Sequence, residues 1–334
     1  MKKTLIIAEA GVNHCGKINL AKKMVDAAKK FGADFIKFQS FNPDYLSTPN
    51  ARLTGYQKKN TNYTNQNKML KKLFLSQAET IQINNYCKKK KIGFLSTAFD
   101  LPSAKFLLKL KMNYAKIPSG EITNLPLIKF LAQNFKKIIL STGMSEINEI
   151  DWALKLLTKY GVKKKNIILL HCTSSYPAPL NELNLNAIKY LKDKFKIKLG
   201  YSDHSLSTLV PIIANNLGAV LIEKHFTLNK NFKGPDHKSS ITPKEFAKVV
   251  EGIKLANICL GEYKKKCTSS EKKNKNLVRK SIYAFKDIKK GEIFTKYNLI
   301  TLRPDTGISA VNWNNIIGKK SKFNFLKNQK IKIK

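Results

Sequence analysis

The feature that most constrains the fold of this chain is the regular alternation of eight short apolar runs with amphipathic stretches. Runs of strand length that are apolar nearly throughout are typical of strands buried on both faces of a parallel sheet. The predicted strands cover residues 5–11, 35–40, 93–98, 114–120, 137–143, 167–173, 198–203 and 220–226. Eight β-α units fit a closed (β/α)8 (TIM) barrel of about 250 residues. An open, doubly wound sheet is the alternative, but eight evenly spaced strands favour closure.

The stretches between the predicted strands mostly have helical periodicity. Residues 19–31 and 145–160, for example, place their apolar side chains on one face of a helix. Candidate N-cap residues are Asn19, Ser76, Ser145 and Ser207. Residues 45–67 are polar and lack periodicity, so we expect a long loop over the barrel mouth after the second strand.

The character of the sequence changes beyond residue 260. Residues 264–276 are charged and rich in turn formers, which is typical of a linker, and short strand-like runs follow at 281–285, 292–294 and 299–302. The predicted divisions are a barrel at 1–262, a linker at 263–279 and a C-terminal module at 280–334. A module of about 55 residues is small for an independent hydrophobic core, so we expect it to pack against the surface of a partner.

Polar side chains stand at the carboxyl ends of all eight predicted strands, where (β/α)8 barrels carry their catalytic groups. In chain order they are Glu9, Asn13 and His14; Lys37 and Gln39; Ser96 and Thr97; Lys116, Ser119 and Glu121; Ser141 and Thr142; His171, Thr173 and Tyr176; Ser202, Asp203 and His204; and Glu223 and His225. Any one of them could be structural. Eight polar strand ends in succession predict an active site at that rim.

Two lysines, Lys37 and Lys116, lie inside apolar strands. A buried lysine is costly unless an anion pairs with it. Together with the hydroxyls of Ser119, Ser141 and Ser202, the two ammonium groups could cradle a phosphate and a carboxylate. The alternative is a lysine–glutamate pair inside the barrel.

Two histidines, His204 and His225, follow adjacent predicted strands. Imidazoles at neighbouring strand ends suit a divalent transition metal that keeps positions open for water and substrate. A single histidine would more often be a satisfied core residue, but two beside Asp203 and Glu223 favour a metal site. Either carboxylate could orient a ligand from the second coordination sphere.

Composition narrows the choice of partners. A net charge of +40 suggests nucleic acid, yet only three of the 62 basic residues are arginines, which readers of nucleic acid favour. We therefore assign the charge to solvated lysines and expect no nucleic-acid partner, with an RNA-binding protein as the alternative. No apolar run approaches the ~18 residues of a membrane span. Five scattered cysteines without a CxxC pair fit reduced thiols, so we expect a cytoplasmic protein without a membrane partner.

Taken in order, short motifs at these positions resemble those of the sialic-acid synthase family. They are Ala8-Glu-Ala-Gly-Val-Asn-His14, Lys37-Phe-Gln39, Ser96-Thr-Ala-Phe99, Lys116-Ile-Pro-Ser-Gly-Glu121, Ser141-Thr-Gly-Met144, Tyr201-Ser-Asp-His204, Glu223-Lys-His-Phe-Thr227 and Gly234-Pro-Asp236. The tail at 280–334 resembles the antifreeze-like (SAF) domain that ends these enzymes. The resemblance therefore covers nearly the whole chain.

The resemblance implies a transferase that condenses phosphoenolpyruvate with an open-chain, N-acetylated amino sugar and water. The products would be a nine-carbon 2-keto sugar acid and phosphate. It also implies a divalent metal held by His204 and His225, most often Mn²⁺, with Mg²⁺ or Co²⁺ possible. A homodimer is implied as well, in which each SAF domain caps the partner's active site.

The resemblance also carries roles over position by position. Phosphoenolpyruvate would be held by Lys37, Lys116, Ser119, Ser141 and Ser202, and the sugar by Gln39, Glu121, Tyr176, Asp236 and Arg303. Thr97 is a further substrate-binding candidate. The catalytic candidates are Glu9, Glu121, His204 and His225, with Glu9 near the reacting carbons and either glutamate as the base for water.

Several positions depart from the family pattern. Cys15 follows Asn-His where the family usually has Asn or Glu, Ala98 replaces a proline, and the loop that begins at Arg303 differs after its proline. Ser174 and Ser175 stand where members differ among themselves and line the sugar side. The expected function is N-acetylneuraminate synthase acting on N-acetylmannosamine. The alternative is an N,N'-diacetyllegionaminate or pseudaminate synthase acting on a bis-acetamido 6-deoxy hexose, and a hydrolytic metal-barrel enzyme is a further rival.

Overall fold

A computed structural model describes residues 4–333, and the chain forms two compact units, Met1–Gly261 and Glu262–Lys334. In the part of the chain that the structure describes, no helix is long and apolar enough to cross a membrane.

The first unit is built on eight parallel strands that close into a barrel. They are β1 Leu5–Gly11, β2 Phe35–Ser40, β3 Gly93–Ala98, β4 Ala115–Ile117, β5 Ile138–Ser141, β6 Ile167–Cys172, β7 Lys198–Asp203 and β8 Leu221–His225. Each strand pairs with the next along the chain, and β8 pairs with β1. The predicted (β/α)8 barrel is therefore confirmed, and an open sheet is excluded.

Helices surround the barrel and cover it. They are α1 Ile18–Lys30, α2 Pro43–Leu46, α3 Gly55–Asn60, α4 Gln66–Leu73, α5 Gln77–Lys89, α6 Leu101–Lys109, α7 Leu125–Asn134, α8 Ile147–Lys159, α9 Ala187–Phe195, α10 Val210–Asn216 and α11 Pro243–Leu260. Apolar helix faces pack on the outward side chains of the strands and form one large buried core. A smaller cluster, which contains Ile7, Leu95 and Ile139, lies among the other strand side chains.

Strand β4 is shorter than its apolar run predicts. It ends at Ile117, because Pro118 has no N–H for the sheet and residues Ser119–Glu121 turn into a 3₁₀ helix. Of the predicted N-caps, Ser76 is confirmed and accepts from the Glu79 N–H. Asn19 and Ser145 are wrong, since α1 and α8 are capped one or two residues away. Ser207 is not the N-cap of α10, which is Leu209, but its hydroxyl accepts from the N–H groups of Leu209 and Val210 at the start of that helix.

The loop predicted at residues 45–67 is only partly right, because helices α2, α3 and α4 interrupt it, although more than half of these residues are non-helical. The asparagines that obscure the periodicity are partly helix caps: Asn42 and Asn65 each accept a hydrogen bond from a backbone N–H in the first turn of a helix. Met69 and Leu73 of α4 then pack in a small apolar cluster with residues of the β1 and β2 ends.

The second unit carries helix α12 Ser269–Val278, strands β9 Ser281–Ala284 and β10 Leu299–Leu302, and helix α13 Trp313–Ile316. The two strands are antiparallel. Most of the predicted linker at 263–279 forms helix α12. A capping box between Thr268 and Glu271 lies at the start of this helix. Residues 292–294 form a single bridge through Ile293 rather than a strand. Apolar side chains, Phe294 and Phe325 among them, give the unit a small core of its own.

A buried ion pair under the barrel rim yields a stability prediction. The Lys224 ammonium contacts the Asp203 carboxylate, and both side chains are almost fully buried. Asp203→Ala leaves a buried ammonium unpaired, so we expect the barrel to lose about 3–5 kcal/mol of its unfolding free energy. The double variant Asp203→Leu/Lys224→Met should recover most of that loss in urea unfolding. Equal losses in both variants would contradict a cost that arises from an unpaired charge.

Candidate active site

One cavity of about 870 Å³ brings together nearly all of the side chains predicted to act. Its lining includes Glu9, Lys37, Gln39, Thr97, Lys116, Ser119, Glu121, Ser141, Tyr176, Ser202, His204, His225 and Asp236. The remaining candidate, Arg303, belongs to the second compact unit and directly follows β10. Its place at a barrel mouth therefore stays a prediction.

The alternation of side chains along each strand explains why polar groups from strands far apart in sequence line the same cavity. Residues two apart in a strand lie on the same face. In β1, Ile7 belongs to the inner apolar cluster and Glu9 lines the cavity. In β3, Leu95 and Thr97 repeat this order, and so do Ile139 and Ser141 in β5. The inner face of the barrel thus changes from apolar to polar toward the carboxyl ends of its strands.

The floor of the cavity is a network of two ammonium groups and two carboxylates. The Lys37 ammonium lies 2.8 Å from a Glu9 oxygen and 3.6 Å from a Glu223 oxygen, and it donates to the Thr97 hydroxyl at 3.1 Å. The Lys116 ammonium lies 3.1 Å from a Glu223 oxygen. The lysine–glutamate pairs weighed as an alternative are therefore present. From the sequence, Glu223 is a strand-end candidate that could orient a metal ligand; the structure instead places it between the two lysines.

The network separates the pKa values of its two carboxylates. Burial raises the pKa of Glu9 to about 7, although Lys37 opposes the shift. Burial also acts to raise the pKa of Glu223, but Lys116 and Lys37 outweigh it and hold that pKa at about 2. Glu223 is therefore ionised at neutral pH, whereas Glu9 exchanges a proton near neutrality, which suits an acid–base group.

The two predicted metal ligands lie next to each other. The ring centroids of His204 and His225 are 5.3 Å apart. Burial lowers the pKa of His204 to about 4 and that of His225 well below its usual range, so both imidazoles are neutral, as a metal ligand must be. The Nδ1 of His204 contacts the Thr173 carbonyl at 2.6 Å, which fixes this nitrogen as the donor and leaves Nε2 with its lone pair.

The donor set fits a divalent cation with an incomplete protein shell. The buried Nδ1 of His225 has no hydrogen-bond partner among residues 4–333. Within the same residues, no three side chains of His, Cys, Asp or Glu converge as a closed metal site would require. Two neutral imidazoles would then leave several coordination positions to water or substrate, as in catalytic rather than structural sites.

The serine hydroxyls differ in their partners. Ser119 accepts from the Gly143 N–H at 2.9 Å, and Ser202 donates to Glu223 at 3.1 Å. The buried hydroxyl of Ser141 has no partner in the described part of the chain. A buried polar atom without a partner is unusual, and this one borders the cavity, so a ligand is the natural acceptor or donor.

A stack of aromatic rings lines another part of the cavity. Tyr176 stacks on His204 with ring centroids 4.2 Å apart, and Tyr56 stacks on Tyr176 at 5.1 Å. Asp236 is buried nearby, and burial raises its pKa to about 6. Tyr56 belongs to α3, in the region taken as an aperiodic loop. The possible Thr54–Gln57 capping box was the one signal there that could have revealed the helix.

The closed barrel, the lysine–glutamate network and the histidine pair define an enzyme for an anionic substrate at the strand ends. Comparison with known proteins gives its family. Residues 24–265 match the NeuB family and residues 279–332 the SAF domain. The chain belongs to the NeuB, or sialic-acid synthase, family with a C-terminal SAF domain. It is a phosphoenolpyruvate-dependent transferase that forms a carbon–carbon bond.

Individual relatives cover most of the chain. It is 50% identical to the N,N'-diacetyllegionaminic acid synthase of Campylobacter jejuni over 99% of this chain and all of the relative. Identity to the enzyme of the same name from Legionella pneumophila is 42%, over 96% of this chain and 90% of the relative. The crystal structure of the N-acetylneuraminic acid (sialic acid) synthetase from Leptospira borgpetersenii superposes with a TM-score of 0.72 and 34% identity, covering 81% of this chain and 90% of that one.

Proposed function

We propose that this protein is an N,N'-diacetyllegionaminate synthase, which condenses phosphoenolpyruvate with an open-chain bis-acetamido 6-deoxy hexose. The observation that carries the proposal is the 50% identity to the Campylobacter jejuni enzyme over essentially both chains. Identity to the Leptospira borgpetersenii N-acetylneuraminic acid synthetase is lower, at 34%. The comparisons therefore favour the alternative over N-acetylneuraminate synthase, our first expectation.

The cationic floor of the cavity supports binding of phosphoenolpyruvate there. Lys37 and Lys116 are both buried, and either can replace a contact to Glu223 with one to phosphate or carboxylate. The free hydroxyl of Ser141, with Ser119 and Ser202, supplies further donors. In this proposal Glu223 holds both ammonium groups in position before the anion arrives, which reduces the ordering cost of binding.

The histidine pair would hold the divalent metal that the family implies. When bound, the metal would supply Lewis-acid polarisation of the sugar aldehyde. The Nδ1–H bond of His204 to Thr173 fixes the tautomer, so Nε2 keeps a lone pair, which accepts from the Tyr176 hydroxyl at 3.2 Å until a metal replaces that contact. Mn²⁺ is the cation we propose, with Mg²⁺ or Co²⁺ as substitutes.

The sugar would lie between the aromatic stack and the carboxylates. The alkene carbon of phosphoenolpyruvate attacks the aldehyde carbon, water adds at the phosphate-bearing carbon, and loss of phosphate leaves the 2-keto acid. Glu9 is our choice for moving the proton of that water, because its pKa of about 7 lies near the working pH. Glu121 accepts from Asn124 at 2.6 Å and is more exposed, so we assign it, with Gln39, Tyr176 and Asp236, to the sugar.

Replacing Lys116 tests the phosphoenolpyruvate cradle. Lys116→Met removes one charge-assisted contact to one substrate, worth about 1.5–3 kcal/mol. We expect the KM for phosphoenolpyruvate to rise by about tenfold to a hundredfold, while the KM for the sugar changes less than threefold. Lys155→Met, on the exposed face of α8, is the matched control. A rise confined to the sugar KM would reverse our assignment of the two substrates.

Condensation also predicts strict coupling between the substrates. Phosphate should be released only when phosphoenolpyruvate and the sugar are both present, in a 1:1 ratio with the keto acid. Phosphate released from phosphoenolpyruvate alone at a similar rate would indicate a hydrolytic barrel enzyme and contradict the proposal.

A further inference from the structure

A cysteine and a buried histidine form a pair outside the cavity described above. The Sγ of Cys15, in the loop after β1, lies 3.2 Å from Nε2 of His237, which directly follows Asp236. Cys15 is half-buried, whereas His237 has no exposed surface. Cys15 is also one of the positions where this chain departs from the family pattern, and the proposed condensation leaves the pair without a role.

The hydrogen bonds of Thr227 define the tautomer of His237. The Thr227 hydroxyl donates its single hydrogen to the Asn229 carbonyl at 3.1 Å. It therefore accepts at 2.7 Å from Nδ1 of His237, and Nδ1 carries the proton. Burial lowers the pKa of His237 to about 4, so the ring is neutral. Its Nε2 lone pair lies 3.2 Å from the Cys15 sulfur, and the Lys233 carbonyl, at 3.3 Å, is the other acceptor for the thiol hydrogen. The Cys15 thiol, the His237 imidazole and the Thr227 hydroxyl that orients the imidazole are thus arranged like a nucleophile, its base and the group that positions the base.

The sulfur also opens onto a second cavity. That cavity has a volume of about 640 Å³, and its lining includes Cys15, Lys17, Lys23, Lys233, Glu79 and Phe232. All three lysines are exposed, against a single carboxylate. The cavity is therefore large enough for a small molecule and attracts anions.

We propose that Cys15 is a thiol–disulfide exchange site for small anionic disulfides, with His237 as the base. Burial raises the pKa of Cys15, so the resting group is the thiol and exchange needs a proton acceptor. The Cys15 sulfur attacks one sulfur of the disulfide as its proton passes to Nε2 of His237. A new S–S bond forms, the old one breaks, and the leaving thiolate takes the proton, so no further oxidant is required.

The mixed disulfide would act on the sugar side of the active site. Gly234 has no space for an added Cβ, which would lie 2.8 Å from the His237 ring and 3.6 Å from the Cys15 sulfur. An adduct on that sulfur lies beside this tight segment, which includes Asp236. The Ser240 hydroxyl donates to the Asp236 carbonyl at 2.6 Å, so a movement of residue 234 would be passed along residues 234–240 to Asp236. We expect weaker sugar binding in the modified protein, a consequence that rests on the proposed function.

The test is oxidised glutathione on the full-length protein, with each cysteine followed by peptide mass spectrometry. His237→Asn should slow adduct formation at Cys15 at least tenfold. Thr227→Val should slow it severalfold, because Nδ1 of His237 loses its acceptor and the ring is no longer held in the tautomer that leaves Nε2 unprotonated. The exposed Cys259 should react at an unchanged rate in both variants, and the buried Cys87 should stay unlabelled if the fold is intact. Lys17→Glu/Lys23→Glu should reverse a preference for oxidised glutathione over cationic cystamine at Cys15 only.

Equal rates at Cys15 with and without His237, in variants whose Cys87 stays protected, would overturn the assigned base. A disulfide preference unchanged by the lysine substitutions would overturn the anionic class. In the Cys15-modified enzyme the KM for the sugar should rise about fivefold, and a reductant should reverse the change. Cys15→Ser should bind the sugar normally and be insensitive to disulfide. Adduct formation without any change in that KM would refute the link to the active site, whereas failure of the proposed condensation would leave the mass shift intact.

Discussion

Replacing His225 with alanine is expected to abolish condensation, with kcat/KM falling at least about a thousandfold, since a Lewis-acid metal supplies several kcal/mol of transition-state stabilisation. The variant should remain folded but lose most of its bound Mn²⁺, measured by elemental analysis after loading and desalting. Removing one of the two proposed protein ligands would leave a site that water cannot complete with comparable affinity.

His171→Gln is the matched control. His171 is also a strand-end histidine, but its Nε2 contacts the Leu183 carbonyl at 2.8 Å and it does not line the cavity of about 870 Å³. The control should keep its metal. In the unmodified protein a chelator should remove activity and Mn²⁺ should restore it. Full activity after exhaustive chelation, with no residual metal, would contradict the assignment of His204 and His225.

Mixing two inactive variants is expected to restore about a quarter of the activity of the unmodified protein. We propose a homodimer in which each SAF domain caps the partner's barrel, so that Arg303 contacts the N-acyl group of the sugar in trans. One subunit carries Arg303→Ala and the other His204→Ala. Random exchange makes half of the dimers mixed, and each mixed dimer has one intact composite site out of two.

The choice of Arg303 rests on its chemistry and its position. It is one of three arginines in a chain that otherwise uses lysine, and its planar fork can bind a carbonyl or carboxylate in a fixed geometry. Light scattering should give the mass of a dimer, and exchange should be verified with differently tagged subunits. If exchange is complete and no activity returns, the trans arrangement is wrong and Arg303 acts within its own subunit or not at all.

The barrel could be predicted from the sequence because its signal is strong and local. Eight apolar runs of strand length mark the strands, and a side-chain period of two places every second residue on the inner face. The polar ends of those runs therefore identified the cavity lining from Glu9 to His225. The three short helices that interrupt residues 45–67 were missed because they depend on caps and a small apolar cluster rather than on a long amphipathic period.

The network at the cavity floor could not be predicted from the strands one at a time. Lys116 and Glu223 are more than a hundred residues apart, and only closure of the barrel brings their side chains within 3.1 Å. The sequence offered a lysine–anion site or a lysine–glutamate pair as alternatives. The structure contains the pair, and the proposed mechanism uses it as the preorganised form of the anion site.

The identity of the sugar has no comparable local signal. Ser174 and Ser175 line the cavity, but small hydroxyl side chains accommodate several sugars and exclude few. The proposal of N,N'-diacetyllegionaminate rather than N-acetylneuraminate as the product therefore rests on overall identity to relatives and not on any single contact.

The most direct test of the central claim compares two sugars in the Mn²⁺-loaded protein, with phosphoenolpyruvate saturating and phosphate release as the readout. We predict that kcat/KM for the bis-acetamido 6-deoxy hexose exceeds that for N-acetylmannosamine by about a hundredfold or more, because a site built to bind a second acetamido group leaves buried polar atoms unpaired without it. The product should be the matching nine-carbon 2-keto acid by mass. Equal or higher kcat/KM for N-acetylmannosamine would contradict the legionaminate assignment, and no phosphate release with either sugar would contradict the condensation itself.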